Sequence, residues 1–324
     1  MSTINKIKKP IAQELKDFEP YFNKSLKSDV PLLSTILNFI YRSKGKQLRP
    51  IFVFLSAKLH GETNEFSQLA ACSVELLHTA TLVHDDVVDE SYERRGTFSV
   101  NALWRNKLAV LVGDYILAKG LQLQLEHQKY NFLHLISRAV QDMAEGEILQ
   151  MKKSRKLDIN DEVYFEIIRK KTASLIATSM AIGAASVTSN GQIVEKMYRI
   201  GQDVGIAFQI KDDIFDYLAK GIIGKPTGND IKEKKITLPL LYILNNSESA
   251  ERKRILRLIK HKNKNPAVVK ELIHMVTEKG GLEYAEQKMN NFKEKAINGL
   301  MEFEDCEARQ SLIELMEYIT TRKQ

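Results

Sequence analysis

The chain has 324 residues, of which 44% are hydrophobic and 27% charged, and its formal net charge is +7. Charges interrupt the apolar runs before they reach the ~20 residues that a membrane-spanning helix needs, so we expect a soluble protein. The two cysteines, Cys72 and Cys306, are far apart and have no metal-ligand spacing, which argues against a disulfide scaffold and a zinc site.

Apolar residues recur at intervals of three and four along most of the chain, for example at Leu133, Ile136, Val140 and Met143. No stretch shows the sustained alternation of a strand, so the fold is predicted to be all-α. Glycines such as Gly61 are plausible helix stops. The predicted helices cover residues 11–26, 30–42, 49–60, 65–91, 98–105, 107–127, 130–151, 161–189, 191–219, 236–245, 248–261, 266–278, 281–302 and 306–321.

Composition also indicates the number of domains, the location and the partners of the protein. Only seven prolines and sixteen glycines occur, and no segment resembles a linker, so residues 1–324 are predicted to form a single domain. Residues 1–10 lack the apolar core of a secretory signal, so we expect a cytoplasmic protein. The basic residues are spread along the chain without a nucleic-acid-binding motif. We therefore expect no nucleic-acid partner, and at most a peripheral contact with an anionic membrane.

Two acidic clusters with one spacing are the most informative feature of the sequence. Asp85-Asp86-Val87-Val88-Asp89 and Asp212-Asp213-Ile214-Phe215-Asp216 both lie in apolar stretches, where uncompensated carboxylates are costly to desolvate. On a helix, the first and last aspartate of each cluster project from one face. Two such pairs facing each other would form an oxygen-rich cage for magnesium, which usually completes its shell with substrate phosphates. The clusters therefore predict a diphosphate enzyme.

A single D-D-x-x-D can be merely a solvated helix face, so the neighbouring residues matter. Arg94 and Arg95 follow the first cluster, and Lys225 follows the second. Acids suited to a metal and bases suited to phosphate thus recur in both blocks. This pairing favours a functional site over a solvated surface.

Two further motifs, Gly45-Lys46-Gln47-Leu48-Arg49-Pro50 and Lys235-Ile236-Thr237-Leu238-Pro239, flank these clusters. In order and spacing the set resembles the trans-prenyltransferases, the family of farnesyl, geranylgeranyl and octaprenyl diphosphate synthases. The resemblance implies an orthogonal helical bundle around a deep central cavity, the isoprenoid synthase fold, usually as a homodimer. Lys44 and Lys234 depart from the family pattern, because glycine often stands at both positions.

The resemblance also implies that isopentenyl diphosphate condenses with an allylic diphosphate, assisted by Mg²⁺, with three ions bound beside the substrate. Six aspartates would serve these ions, Asp85, Asp89 and Asp212 directly, and Asp86, Asp213 and Asp216 as water-mediated or orienting groups. The bases that complete the allylic diphosphate clamp would be Arg94, Lys171, Lys225 and Lys235. The metal-free isopentenyl diphosphate site would consist of Lys46, Arg49, His78 and Arg95. Catalysis would further involve the oxygen dipoles of Thr172 and Gln209 facing the carbocation, with the released diphosphate as the base.

The chain length of the product is predicted from the residues that precede the first cluster. Ala80 and Thr81 stand where aromatic side chains in the family stop growth at short products. Small residues leave the tunnel open, so we expect a hexaprenyl-to-decaprenyl product, with octaprenyl, for a quinone side chain, as the best estimate. The deeper floor of the tunnel is left open between Leu117, Leu121 and a residue of a partner subunit.

Four other functions compete with this interpretation. A shorter-chain farnesyl or geranylgeranyl diphosphate synthase would use the same reaction. A regulatory subunit of a heteromeric synthase would be expected to lose motif residues, and a class I terpene cyclase usually lacks the second complete cluster and the isopentenyl site. A magnesium-binding structural bundle would not need bases aligned with the acids. His78, taken alone, would more often be a hydrogen-bonded core histidine.

Overall fold

The structure is a computed structural model, and it describes residues 3–43, 45–94, 96–218 and 228–321. Nearly all of the regular structure in these residues is helical, which confirms the predicted all-α class. A single 3₁₀ turn, Lys9–Ile11, follows the first helix. The helices are α1 (Thr3–Ile7), α2 (Ala12–Ser25), α3 (Pro31–Arg42), α4 (Leu48–His60), α5 (Glu65–Val88), α6 (Val100–Glu126), α7 (Tyr130–Lys156), α8 (Asp161–Ile168), α9 (Ser174–Ala185), α10 (Gly191–Leu218), α11 (Asn229–Lys232), α12 (Leu238–Asn246), α13 (Ser249–Lys262), α14 (Pro266–Glu278), α15 (Gly281–Met301) and α16 (Glu307–Thr321).

Local capping explains where several helices begin. The side chain of Asn64 accepts hydrogen bonds from the backbone N–H groups of Phe66, at 2.8 Å, and Ser67, at 3.2 Å. The Ser67 hydroxyl accepts in return from the Asn64 N–H, which completes a capping box at the start of α5. Pro266 is the first residue of α14, where its missing N–H costs nothing, and this helix matches the predicted range.

The segment after α5 differs from the prediction. The helix predicted over 65–91 is three residues too long, because Glu90 adopts a left-handed φ of 49° and turns the chain. A short antiparallel hairpin follows, formed by β1 (Glu93–Arg94) and β2 (Thr97–Phe98). Strands of two residues are too short to show an alternating pattern, so the sequence could not reveal them.

Helix α6 joins two predicted helices, 98–105 and 107–127, in one element that is broken at Arg105, where φ is 67° and ψ is 163°. The predicted interruption is therefore present as a kink. By length and composition α6 is also apolar enough to cross a membrane, and a third of its most apolar window is buried.

The helix predicted over 161–189 is divided by a π-helical turn, Arg169–Ala173, between α8 and α9. Two glycines allow neighbouring helices to approach this turn closely. A Cβ at Gly146 of α7 would lie 2.7 Å from the backbone nitrogen of Lys171, and one at Gly205 of α10 would lie 2.5 Å from Cα of Ala173. π-Turns inside helices often occur at functional sites.

Packing divides the chain into two compact units. The first comprises Met1–Val140, Leu175–Gly201 and Leu300–Leu315, and the second Gln141–Ser174, Gln202–Gly299 and Met316–Gln324. In the first unit α4 is buried along most of its length. In the second, apolar residues of α8, α10, α12, α13 and α14 share one core. That residues 1–324 form a single domain stays a prediction.

Candidate active site

The first acidic cluster lies at the C-terminal end of α5, as predicted. Asp85 is in the last turn of the helix and Asp89 is its C-cap residue. Asp86 is buried, with 3% exposure. Its Oδ1 accepts a hydrogen bond from Nε of Arg94 at 2.6 Å and forms an ion pair with Nη2 of the same residue, also at 2.6 Å. Burial raises the pKa of the Asp86 carboxyl and Arg94 opposes that shift. The hairpin therefore brings Arg94 back onto the cluster, where it holds Asp86.

A cavity of about 60 Å³ lies beside this pair in the first unit. His78 and Arg94 line it together with Asp86, so three predicted site residues meet there. Its other walls are mostly apolar and include Phe39 and Leu82. The cavity thus combines a charged rim with room for a small apolar group.

The other predicted residues of the first unit lie near the start of α4 or on α5. Lys46 is exposed in the segment before α4, and Arg49 is in its first turn. Ala80 is buried on α5, with 1% exposure, and the Thr81 hydroxyl donates a 2.9 Å hydrogen bond to the His78 carbonyl. Arg95 lies outside the described residues.

In the second unit a chain of hydrogen bonds links the second cluster to two predicted catalytic residues. The Tyr164 hydroxyl donates to Oδ2 of Asp213 at 2.6 Å, and Nε2 of Gln209 donates to Oδ1 at 2.9 Å. Gln209 in turn accepts, through Oε1, a 2.7 Å bond from the Thr172 hydroxyl. Burial raises the pKa of Asp213 to about 7, although both donors oppose the shift. The chain of bonds fixes which end of the Gln209 amide faces Thr172.

Asp216 is held by the backbone rather than by side chains. Its Oδ1 accepts from the N–H of Asn229, and its Oδ2 accepts from the N–H of Asp230, both at 3.0 Å. These two N–H groups belong to the first turn of α11, so Asp216 joins the end of α10 to that short helix. Burial raises the pKa of Asp216, and the two N–H groups oppose this.

The π-turn carries Lys171, and two side chains of α7 hold it. Nζ of Lys171 donates to Oε1 of Gln150 at 2.7 Å and forms an ion pair with Glu147. Gly146 of the same helix allows the backbone of the π-turn to approach. The local structure therefore fixes both the position and the charge environment of this lysine.

A second cavity, of about 110 Å³, collects most of the predicted residues of the second unit. It is also lined by Gln150, Tyr164 and Asp230, which the sequence did not single out. The pKa of Asp230 is raised to about 8, mostly by burial and in addition by the carboxylates of Asp213 and Asp216. Asp212 is half-buried on α10, and Lys225 lies outside the described residues. The predicted residues that line the cavity are Lys171, Thr172, Gln209, Asp213 and Lys235.

The sequence contains a signal for Glu147 and Gln150, which were not predicted as site residues. The apolar face of α7 that includes Val140 and Met143 continues through Glu147 and Gln150 at helical spacing. Polar side chains on a face that is otherwise apolar require partners, and here the partner is Lys171. Tyr164 offered no comparable signal, because a buried tyrosine is common in helical cores.

The donor set suits magnesium bound together with phosphate. Among the described residues, no group of three or more His, Cys, Asp or Glu side chains is arranged to hold an ion by itself. Magnesium commonly uses one or two carboxylates and completes its shell with water and substrate phosphates. Asp86, Asp213 and Asp216 are all held by protein donors. That these three aspartates orient the metal ligands stays a prediction.

The profile of the polyprenyl synthetases matches residues 30–276. This chain belongs to the polyprenyl synthetase family. The all-trans-nonaprenyl-diphosphate synthase of Rhodobacter capsulatus is 35% identical, with 94% of each chain covered. The octaprenyl diphosphate synthase of Escherichia coli is 32% identical over 96% of this chain and 97% of that one. Component 2 of the heptaprenyl diphosphate synthase of Bacillus subtilis is also 32% identical, over 94% of this chain and 87% of that one.

Solved structures extend the likeness of this polyprenyl synthase to the fold. A polyprenyl synthase of Caulobacter crescentus, complexed with calcium and isoprenyl diphosphate, has a TM-score of 0.92 at 32% identity, covering 99% of this chain and 98% of that one. A geranylgeranyl pyrophosphate synthase of Bacteroides thetaiotaomicron has a TM-score of 0.86 at 38% identity, covering 99% of this chain and 100% of that one. The predicted isoprenoid synthase fold and the predicted enzyme class, a polyprenyl diphosphate synthase that transfers prenyl groups, are confirmed.

Proposed function

We propose that this polyprenyl synthase condenses isopentenyl diphosphate with an allylic diphosphate and makes a long-chain all-trans polyprenyl diphosphate. The observation that carries the proposal is the shared construction of its two acidic clusters. Each ends a long helix, and each has carboxylates held by donors of its own unit, Arg94 in the first and Tyr164 and Gln209 in the second. Such preorganised carboxylates suit cations that neutralise a leaving diphosphate.

Three Mg²⁺ ions would be bound by Asp85, Asp89 and Asp212 together with the allylic diphosphate, and they would act as Lewis acids on its leaving group. Asp86, Asp213 and Asp216 orient the ligands or bind through water. Around them Arg94, Lys171, Lys225 and Lys235 complete the charge clamp. Glu147 and Gln150 keep Lys171 directed at the cavity.

We propose that the second substrate binds at the cavity of the first unit. His78 lines this cavity, and Phe39 and Leu82 line the part of it that we assign to the five-carbon chain. We propose that Lys46, Arg49, His78 and Arg95 bind the diphosphate of isopentenyl diphosphate, since guanidinium groups can contact phosphate oxygens in pairs.

Carbon–carbon bond formation requires stabilisation of the allylic cation. The Thr172 hydroxyl donates its hydrogen bond to Oε1 of Gln209, so both lone pairs of the hydroxyl oxygen are available to face positive charge. Cleavage of the allylic C–O bond leaves the electron pair on diphosphate, and the double bond of isopentenyl diphosphate then attacks the cation. The released diphosphate takes the proton, so no protein base is needed.

The proposed product is long, with octaprenyl as the best estimate. Ala80 and Thr81 have small side chains, and we propose that the prenyl chain grows past them, where an aromatic side chain would stop it. The relatives named above make products from heptaprenyl to nonaprenyl, whereas the similar Bacteroides structure is a geranylgeranyl pyrophosphate synthase. A shorter product is therefore the second candidate.

We further propose a cytoplasmic homodimer that forms through α6. Val110, Leu111 and Leu125 on this helix are 40%, 63% and 51% exposed, and Ala118 lies between them on the same side. A second copy of the chain covering these side chains would remove apolar surface from water. The heptaprenyl component 2 relative favours testing a heteromeric partner as the alternative.

The decisive experiment incubates purified protein with magnesium, farnesyl diphosphate and labelled isopentenyl diphosphate, and separates the products by length. Long trans-prenyl products are expected. Failure to extend any allylic starter would instead favour a regulatory subunit or a cyclase. Asp85→Ala should abolish condensation and leave the helical circular dichroism spectrum unchanged; full activity in this variant would overturn the metal-clamp role.

A further inference from the structure

Helix α13 carries most of the net charge of the chain. The helix contains six Lys and Arg against one acid, Glu251, a net charge of +5 in a chain whose total is +7. Glu251 forms an ion pair with Lys279, which lies outside this helix. The expectation of evenly dispersed basic residues therefore does not hold for this helix.

The apolar side of α13 anchors it to the protein. Ile255 and Ile259 are fully buried and belong to the core of the second unit. The opposite side presents Lys253, Arg257 and Lys260, which follow at intervals of four and three residues and therefore share one face. All three are exposed.

Nearby acids do not neutralise this face. Arg254, on a different side of the helix, is paired with Glu271. In the described part of the chain, Lys253, Arg257 and Lys260 have no such ion pair. The face is a fixed row of cations held by a rigid helix.

We propose that α13 docks the enzyme on the surface of an anionic membrane, with Lys253, Arg257 and Lys260 contacting lipid phosphates. Clusters of four to eight Lys and Arg on an amphipathic helix bind anionic headgroups, with about 1 kcal/mol for each cation. None of the exposed large apolar side chains of the described residues lies on α13, so the contact is electrostatic and does not insert.

The choice of a membrane over a nucleic acid rests on the proposed function. A long polyprenyl diphosphate is an apolar chain that water excludes, so its release is favourable into a bilayer. Docking would bring the site of synthesis to that bilayer. The positive charge of the row is complementary to the anionic headgroups of the bilayer. The same charge would attract the phosphate backbone of a nucleic acid, so the experiment must distinguish these two partners.

The test measures co-sedimentation of the full chain with phosphatidylcholine vesicles, with and without phosphatidylglycerol. Wild type should bind only the anionic vesicles, and added salt should release it. The triple variant Lys253→Gln, Arg257→Gln, Lys260→Gln should weaken this binding about a hundredfold, at about fivefold for each cation.

The matched control removes the same net charge from exposed positions of the first unit, Lys16→Gln, Lys24→Gln and Lys27→Gln. It should bind vesicles within about twofold of wild type, because none of these lysines belongs to the face of α13. Equal loss in both variants, or no binding by wild type at low salt, would overturn the proposal. Tighter binding to duplex DNA than to the vesicles would replace it with a nucleic-acid site.

Synthase activity in detergent separates this proposal from the proposed function. Both triple variants should condense substrates at the wild-type rate, because none of the six residues belongs to the catalytic machinery. An inactive wild type that still binds anionic vesicles would contradict the proposed function and leave the docking helix supported.

Discussion

The hydroxyl of Tyr164 on α8 lies 2.6 Å from Oδ2 of Asp213 on α10, and both residues are 3% exposed. This bond joins the π-turn region to the second acidic cluster, since Asp213 also accepts from Gln209 and Gln209 from Thr172. We therefore propose that Tyr164 is a positioning residue, which acts on the reacting groups through Asp213.

Tyr164→Phe should lower kcat about tenfold or more, because a buried carboxylate that loses one donor reorients, and losing a hydrogen bond to a charged group costs about 1.5–3 kcal/mol. KM for both substrates should change little. Steady-state kinetics with each substrate varied will measure both constants.

The control for this variant is Tyr284→Phe, which removes the contact of another tyrosine hydroxyl with a carboxylate, Asp161, at 3.4 Å and outside the cavity. It should retain wild-type kcat. Combining Tyr164→Phe with Gln209→Ala should cost little more than Gln209→Ala alone if both act through one network. Additive losses would contradict the positioning role.

Gly146→Ala should destabilise the protein and reduce turnover. The new Cβ would meet the backbone nitrogen of Lys171 at 2.7 Å, and backbone cannot move aside cheaply. We expect a loss of about 1–3 kcal/mol in the free energy of unfolding. Gly191→Ala is the matched control, because nothing lies within 4 Å of its added Cβ. Denaturant unfolding of both variants measures the difference, and equal stability would contradict the close approach.

Lys234→Gly should stabilise the protein. Lys234 has a φ of 59°, a left-handed conformation that is costly for a residue with a Cβ, at a position where the family often has glycine. We expect a gain of up to about 1 kcal/mol, reduced by the entropy of glycine in the unfolded chain. Lys152→Gly, in the exposed interior of α7, should instead cost about 1 kcal/mol. Thermal unfolding compares the two; a loss in both would contradict the strain at Lys234.

The metal-free protein should lose stability as the pH rises from about 4, the pKa of an aspartate in the unfolded chain, to about 8. Burial raises the pKa of Asp213 to about 7 and that of Asp230 to about 8, above the values of these groups in the unfolded chain. The folded state then holds more protons over this window, so its free energy of unfolding falls with rising pH. Asp230→Asn should flatten the slope, whereas Asp158→Asn, on an exposed side chain, should preserve it. Urea unfolding with a chelator at each pH gives the slopes.

Ala80→Phe should shorten the product. Ala80 is buried on α5, five residues before Asp85, so an added ring would occupy the space along which the prenyl chain is proposed to grow. Chromatography of the labelled products will show the length distribution. Because overpacking can cost about 1–3 kcal/mol, the variant's melting temperature must be measured alongside. An unchanged distribution from a folded variant would contradict the tunnel assignment.

Much of the fold followed from local pattern. Helices such as α14 were predictable because apolar spacing and a proline at the first position act within one helix. The hairpin around Arg94 was not, because two-residue strands leave no periodicity. The π-turn at Lys171 was equally hidden, since it depends on the close approach of α7 through Gly146.

The sequence by itself determined the class of the enzyme, because paired aspartates and flanking bases must be present in the chain for the chemistry to run. It also fixed the helical positions of these groups, since helix periodicity is local. Only the tertiary structure decided which aspartates are held by Arg94, by Tyr164 or by the backbone of α11, and that Glu147 and Gln150 hold Lys171. Arg94 is only eight residues from Asp86, but the hairpin that returns it leaves no periodic pattern. The other partners lie 13 to 49 residues away, and their contacts depend on how separate helices pack.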